Sequence, residues 1–270
     1  MNTLLRSAGL LILGLLTCQA ALALDDPFPR VAAAYLVQAN GQPLWEKAGA
    51  QRLPPASLTK LMTVLLVAES SQPGDIVTIR RQATQESGTR LGLRQGERYA
   101  LESLLNAALL DSDNDACHAL AEHVGGTQER FVARMNQRAA RLGMRNSHFA
   151  NACGHDAENH YSTVQDLALL AGEVLKNPRL THLTAQGTAE IASVDGTRRF
   201  KLENKNALIG RYPGTLGLKT GFTPKAGKCL IAYVRRNDIQ VLLVMLNAPN
   251  RWWDASDILD LAFAHERGGT

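Results

Sequence analysis

Cysteine is scarce in this 270-residue chain, and no two of its four cysteines form a CxxC pair. That count and spacing exclude a disulfide-built scaffold and a thiolate zinc or thioredoxin-like site. No HExxH run exists, and His118 and His123 stand five apart, off one helix face. His155, Asp156, Glu158 and His160 crowd one segment and read as solvated loop side chains, so no metal and no cofactor is expected. Charge of one sign is also lacking: 29 Lys plus Arg face 25 Asp plus Glu, a net +4 with no basic block. Nucleic acid is therefore excluded as a partner. Beyond the N-terminal segment no run is apolar enough to span a membrane.

What is present begins with a 45% hydrophobic share, ample for a packed core. Residues 1–23 combine Arg6, an apolar stretch from Ala8 to Leu16 and the small-residue end Ala21-Leu22-Ala23. This reads as a secretory signal peptide with an AxA site, and it implies export to the periplasm or cell envelope. The stretch is well short of the ~20 residues of a span. A lipoprotein reading at Cys18 ranks second, because Thr17 is larger than such sites favour. Cleavage after Ala23 leaves Cys117, Cys153 and Cys229, an odd set with at least one free thiol. The remaining 24–270 is expected to be a single two-lobed domain without a C-terminal β domain or a membrane anchor.

Along that chain, Val31 to Ala39 and Leu44 to Lys47 read as strands around the turn Asn40-Gly41-Gln42-Pro43. Leu58 to Glu69 is a continuous apolar helix. Helical text follows over Leu101 to Leu110, Asn114 to Val124 and a third segment with Phe131, Met135 and Leu142 on its apolar side. Ser162 with Gln165 predicts a capping box for a helix running to Lys176. Strands return at Ala189 to Val194, Arg198 to Leu202, Thr215 to Gly221, Cys229 to Val234 and Ile239 to Leu246, and Trp252 to His265 closes as a helix. The fold class is therefore α/β: an antiparallel sheet built from both chain ends, with an all-helical lobe inserted at roughly 56–185. A site is expected in the cleft between the lobes.

The chemistry-bearing text is Ser57-Leu58-Thr59-Lys60, then Ser112-Asp113-Asn114, then Lys219-Thr220-Gly221. Three residues is close to one helical turn, so Ser57 and Lys60 share a face. A lysine so placed takes a serine proton once burial and cationic neighbours lower its pKa. Singly, each motif has a bland reading: a helix with a polar edge, an N-cap, an edge-strand turn. Their order and their helix-start, helix-loop and strand contexts form the combination carried by penicillin-binding proteins and class A β-lactamases.

With Ala56 to Thr63, Asn114-Asp115-Ala116-Cys117 and Gly217 to Thr223 beside them, these motifs resemble the low-molecular-mass penicillin-binding proteins of the D-alanyl-D-alanine carboxypeptidase family. The resemblance spans roughly Val31 to Phe263. It implies a β-lactamase/transpeptidase-like fold and a serine peptidase acting on peptidoglycan stem peptides, with β-lactam antibiotics as covalent inhibitors. It makes Ser57 the nucleophile, Lys60 the general base and Ser112 a proton relay. Asn114 would bond the acyl-side amide, and Lys219 and Thr220 would bind the terminal carboxylate. Gly221 would let substrate lie against the strand, and Phe222 would supply an oxyanion-hole N–H with that of Ser57.

A class A β-lactamase needs an ExxLN glutamate after SDN. Glu102 to Asn106 matches in letters but precedes Ser112, so it reads as a decoy. Relatives carry a Gly-Leu pair where Cys153-Gly154-His155-Asp156 stands here. If that loop folds toward the strand after Lys219-Thr220-Gly221, Cys153 and Cys229 are expected to pair, with Cys117 a buried core thiol. The short chain also keeps a D,D-endopeptidase that cuts cross-links as the alternative to a carboxypeptidase. The Trp252-Trp253 pair reads as core.

Overall fold

The computed structural model describes residues 26–268; the leader expected at 1–23 lies outside the described residues. The chain opens with a hairpin, β1 (Ala34–Ala39) and β2 (Gln42–Lys47). Its turn places Asn40 and Gly41 at positive φ, as the Asn-Gly pair demands. A 3₁₀ turn over Ala56–Thr59 leads into α1 (Lys60–Ser70). Every residue of α1 from Lys60 to Val67 is buried, which is why its text is apolar all round and not amphipathic.

Two short strands, β3 (Ile76–Thr78) and β4 (Arg98–Ala100), pair with each other. Then come α2 (Leu101–Asn106), a π-helical turn over Ala107–Asp111, α3 (Asn114–Gly125) and α4 (Gln128–Arg141). The helix α5 (Val164–Leu175) is capped one residue later than the sequence predicts: the Thr163 hydroxyl accepts from Asp166 N–H. Ser162 is instead occupied by backbone bonds to Leu53 and by the Ser147 hydroxyl. The Asn177-Pro178 start of α6 (Pro178–Thr184) went unread in the sequence, although Asn177 caps it with its side-chain oxygen.

β5 (Thr188–Ala192) and β6 (Arg199–Glu203) form a hairpin of their own, outside the main sheet. The chain then adds β7 (Thr215–Thr223), β8 (Gly227–Arg236), β9 (Ile239–Leu246) and α7 (Arg251–Gly268). The main sheet runs β2-β1-β9-β8-β7, with each neighbouring pair antiparallel. It is thus built from both chain ends, as expected.

Both faces of the sheet are covered, so β9 reads as an unbroken apolar run. Val241, Leu243 and Met245 meet Ile258, Leu259 and Phe263 of α7, while Leu242, Val244 and Leu246 face the helical side. Burying each of the three α7 side chains contributes about 1.5–3 kcal/mol. Trp252 packs against this layer, but Trp253 is 81% exposed, contrary to the core placement expected for the pair. Among the described residues no helix is long and apolar enough to cross a membrane.

The cysteine pairing differs from expectation. Cys117 is bonded to Cys153, with Cα atoms 5.9 Å apart, and Cys229 is a free, buried thiol. The 151–156 loop does reach the end of β7, but through Asp156, whose carboxylate accepts from the Thr223 hydroxyl at 2.7 Å. Cys153 points the other way, onto α3. We expect alkylation of denatured, unreduced protein to label Cys229 and leave the Cys117 and Cys153 peptides linked, read by peptide mass mapping. A linked Cys153–Cys229 pair would contradict the structure.

Candidate active site

The 3₁₀ turn carrying Ser57 is gripped from two sides by glycines. A Cβ on Gly221 of β7 would stand 3.1 Å from Ala56 Cβ and 3.2 Å from Ser57 N. One on Gly154 would fall inside the Ala56 carbonyl and 2.8 Å from Ser57 N. Gly221 therefore serves close approach of strand and turn, a tighter constraint than the substrate contact read from sequence. Ala56 is held at φ 48°, left-handed for a residue with a Cβ, strain of the kind that surrounding structure must over-determine.

Lys60, fully buried, starts α1 one turn after Ser57. Its Nζ lies 3.0 Å from Ser57 Oγ, 2.8 Å from Asn114 Oδ1 and 2.7 Å from the Cys153 carbonyl oxygen. Burial lowers its pKa to about 7, against the opposing pull of Asp113 and Glu86. The geometry suits the neutral amine. Two of its contacts are oxygens that only accept, so they take its two N–H groups, and the lone pair is left facing the Ser57 hydroxyl.

Asn114, at the start of α3, acts here as a strut. Its Oδ1 receives Lys60, and its Nδ2 donates to the Ser87 carbonyl at 2.6 Å. One amide hydrogen remains for the acyl-side bond expected from sequence. Ser112 adopts the left-handed region, φ 69°, in the break that ends the π turn. Its hydroxyl accepts from Lys219 Nζ at 3.0 Å, and the Lys219 amine also donates to the Thr220 carbonyl at 3.0 Å. Lys219 is buried, and desolvation, then the charges of Lys60 and Arg251, hold its pKa well below the ordinary lysine range.

These residues meet in one cleft of about 540 Å³ lined by Ser57, Ser112, Asn114, Thr220, Gly221 and Phe222. Phe222 is 61% exposed. β7 ends the sheet order, so its outer edge borders the cleft unpaired by any strand, a template for an extended peptide.

Several lining groups were not read from sequence. Arg251, which opens α7, donates from Nη1 to the carbonyls of Gly221 and Cys229 at 2.7 and 3.0 Å. Nothing local marks Arg251; only the fold of α7 back onto β7 brings it there. His155 lines the cleft with Nε2 2.6 Å from Glu86, and the same carboxylate meets His118 Nδ1 at 2.5 Å. Burial pushes the Glu86 pKa up, but those two imidazole hydrogen bonds outweigh it and hold the group at about 2.

The loop histidines are thus engaged, not solvated. His160 is 5% exposed, with Nδ1 accepting from Ala150 N–H and Nε2 donating to the Thr59 hydroxyl. No group of side chains suited to a metal exists among the described residues. Glu102 pairs with Arg179 and does not line the cleft, in keeping with its reading as a decoy.

Asp113 is the anomaly. It is 1% exposed and neither carboxylate oxygen has a hydrogen-bond partner. Burial, then the charges of Asp111 and Asp115, raise its pKa to about 8, against Lys60 and Lys205.

The sequence matches the profile described as D-alanyl-D-alanine carboxypeptidase over residues 28–250. The Bacillus subtilis D-alanyl-D-alanine carboxypeptidase DacF is 36% identical over 234 residues, 83% of this chain and 60% of that protein. The Mycobacterium tuberculosis carboxypeptidase DacB2 is 31% identical, covering 78% of this chain and 74% of that one. The chain thus spans about three fifths of the Bacillus relative's length. The crystal structure of a Streptomyces DD-transpeptidase superposes with a TM-score of 0.81 at 29% identity, over 87% of this chain and 97% of that one.

The Asp113 anomaly has a measurable sign. A carboxyl with a raised folded pKa binds its proton in the folded state between about 4 and 8, so its contribution to stability falls as pH rises through that window. Asp113→Asn removes this slope. We expect its melting temperature, relative to the unmodified protein, to climb by at least about 2–4 °C, roughly 1 kcal/mol, between pH ~4 and ~8. A difference flat in pH would contradict a buried, protonatable Asp113.

Proposed function

This chain belongs to the D-alanyl-D-alanine carboxypeptidase family, and from that premise we propose that it removes the terminal D-alanine of peptidoglycan stem peptides through an acyl-enzyme on Ser57. The observation that carries the reading is the buried Lys60 amine 3.0 Å from the Ser57 hydroxyl, where a neutral amine would turn its lone pair to that hydroxyl.

In this reading Lys60 takes the hydroxyl proton as Oγ attacks the carbonyl between the last two D-alanines. The backbone N–H groups of Ser57 and Phe222 receive the negative oxygen, donors whose loss costs ~10²–10³ in rate. Collapse expels D-alanine, its nitrogen protonated by way of Lys60 and Ser112, and water then hydrolyses the ester with Lys60 again as base. The leaving residue carries a carboxylate. Lys219, Thr220 and Arg251 gather beside Ser112 and Gly221 to receive it, and an arriving anion gives the buried Lys219 amine a reason to be charged. The acyl side lies toward Asn114 and His155.

β-Lactams present the same carbonyl and carboxylate and acylate Ser57. They leave slowly, because among the described residues no glutamate lines the cleft to activate water as class A β-lactamases require. The AxA leader read at residues 1–23 supports export to the periplasm or envelope, where this substrate is.

We expect the purified protein to release D-alanine from pentapeptide monomers, with the rate rising through pH ~7 as Lys60 loses its proton. Ser57→Ala is expected to lose both this release and labelling by fluorescent penicillin, by at least ~10³-fold. Cleavage confined to cross-linked dimers would move the assignment to a D,D-endopeptidase, and rapid penicillin turnover would move it to a β-lactamase.

A further inference from the structure

The Lys60 amine is aimed by two acceptors from distant parts of the chain, Asn114 Oδ1 on α3 and the Cys153 carbonyl in the 151–156 loop. Cys117 stands three residues past Asn114, one turn further along α3. Its sulfur is bonded to Cys153, so a covalent link ties together the two segments that hold the amine. The crosslinked residue and the residue that supplies one of the acceptors are the same, Cys153. Its Sγ also sits 3.6 Å from the Asn114 carbonyl oxygen.

Elsewhere the loop is irregular and lacks ladder bonds. Asn151 Oδ1 collects the N–H groups of Cys153, Gly154 and His155 at 3.2, 2.7 and 3.0 Å, and the Thr63 hydroxyl donates to Ala152 O at 2.6 Å. Such bonds shape the loop; what ties this stretch to the buried helices is the Thr63 hydroxyl and Lys60 itself on α1 and, on α3, the disulfide, beside which Cys117 Sγ sits 3.4 Å from the Ala152 carbonyl oxygen. The other flank of the loop, at Gly154, presses on the turn that bears Ser57.

We propose that the Cys117–Cys153 disulfide is a positioning clamp for the general base: it fixes the Cys153 carbonyl where it takes one N–H of Lys60 and so keeps the lone pair on Ser57. The proposal rests on the acyl-enzyme reading above. A carbonyl free to drift lets Nζ rotate, and misplacement by ~1 Å is worth on the order of 10² in rate. A loosened loop also admits water beside Nζ and relieves the burial that keeps the amine neutral. Both sulfurs are buried, at 0% and 1% exposure, so thiol attack is obstructed in the folded protein, as befits a permanent clamp.

The test compares the oxidised protein with a Cys117→Ala/Cys153→Ala variant, measuring the second-order rate of acylation by fluorescent penicillin from about pH 5 to 10. The charged groups acting on Lys60 are Asp113 and Glu86, Lys60 in turn acts on Lys219, and the variant leaves all of them in place. We expect the folded variant to acylate about 10- to 100-fold more slowly at pH 7, with its acid limb raised by about one pH unit. An unchanged rate overturns the proposal, and so does a slower rate with an unmoved limb, which a merely structural role would give.

The dithiol form of the natural sequence supplies a second comparison. Dithiothreitol in mild urea donates two electrons and two protons, the S–S bond becomes two thiols, and the reagent closes to its cyclic disulfide. After its removal the same slower rate and raised limb are expected, both reversed by oxidised glutathione. If neither form folds, by circular dichroism, the bond belongs to the fold alone and the clamp is overturned. Failure of the oxidised protein itself to be acylated at Ser57 would sink the acyl-enzyme reading and the clamp together, and it shows in the unmodified protein.

Discussion

A primary amine with no access to water must either find three acceptors for an ammonium or give up a proton. Lys60 sits at that choice. Burial of an unpaired charge costs several kcal/mol even after the protein relaxes, and the groups around Nζ include two obligate acceptors and one hydroxyl. The hydroxyl could serve as the third acceptor, but burial pulls the pKa of Lys60 down to about 7 and so favours a neutral amine whose lone pair meets the hydroxyl hydrogen. The position of α1 at the centre of the helical lobe, with its first residue buried like its neighbours, follows from this requirement as much as from apolar packing.

The sheet serves the same end from the opposite side. Because β1 and β2 are drawn from one chain end and β7 to β9 from the other, β7 is left at the sheet edge against the turn that holds Ser57. Contact there is possible only where no Cβ intervenes, at Gly221, and the loop closes on the far side only at Gly154. Ser57 is thus held between a strand and a loop, and Ala56 keeps its left-handed backbone because both neighbours leave it no alternative.

Much of this was legible in the sequence because it is local. The Asn40-Gly41 turn, the apolar run of α1, the polar break at Ser112 and the apolar strand text of β7 to β9 each sit within a few residues of their cause. Long-range facts were not legible. Cys153 was expected on Cys229 because its loop was read as folding toward the strand after Lys219-Thr220-Gly221, which is β8; the loop instead meets the end of β7 through Asp156, and Cys153 faces α3. Arg251 reaches the cleft only through the return of α7, and His160 is buried because Thr59 and Ala150 claim both of its nitrogens. The cap of α5 was misplaced by one residue because Ser162 and Thr163 carry the same chemistry, and the isolated bridge to Leu53 decides between them.

The two buried lysines differ in a way that matters to the proposed chemistry. Lys60 is enclosed by protein acceptors, whereas Lys219 has only the Ser112 hydroxyl and the Thr220 carbonyl, so an anion in the cleft supplies the partner it lacks. Two cations so close repel, and the charge of Lys60 helps to hold the pKa of Lys219 down. A carboxylate that charges Lys219 arrives with the opposite charge, so the pair it forms is nearly neutral when seen from Nζ of Lys60. In the proposed chemistry Lys60 would therefore keep its lone pair while a carboxylate is gripped, and binding and proton transfer would be decoupled by charge balance between two amines that would otherwise interfere.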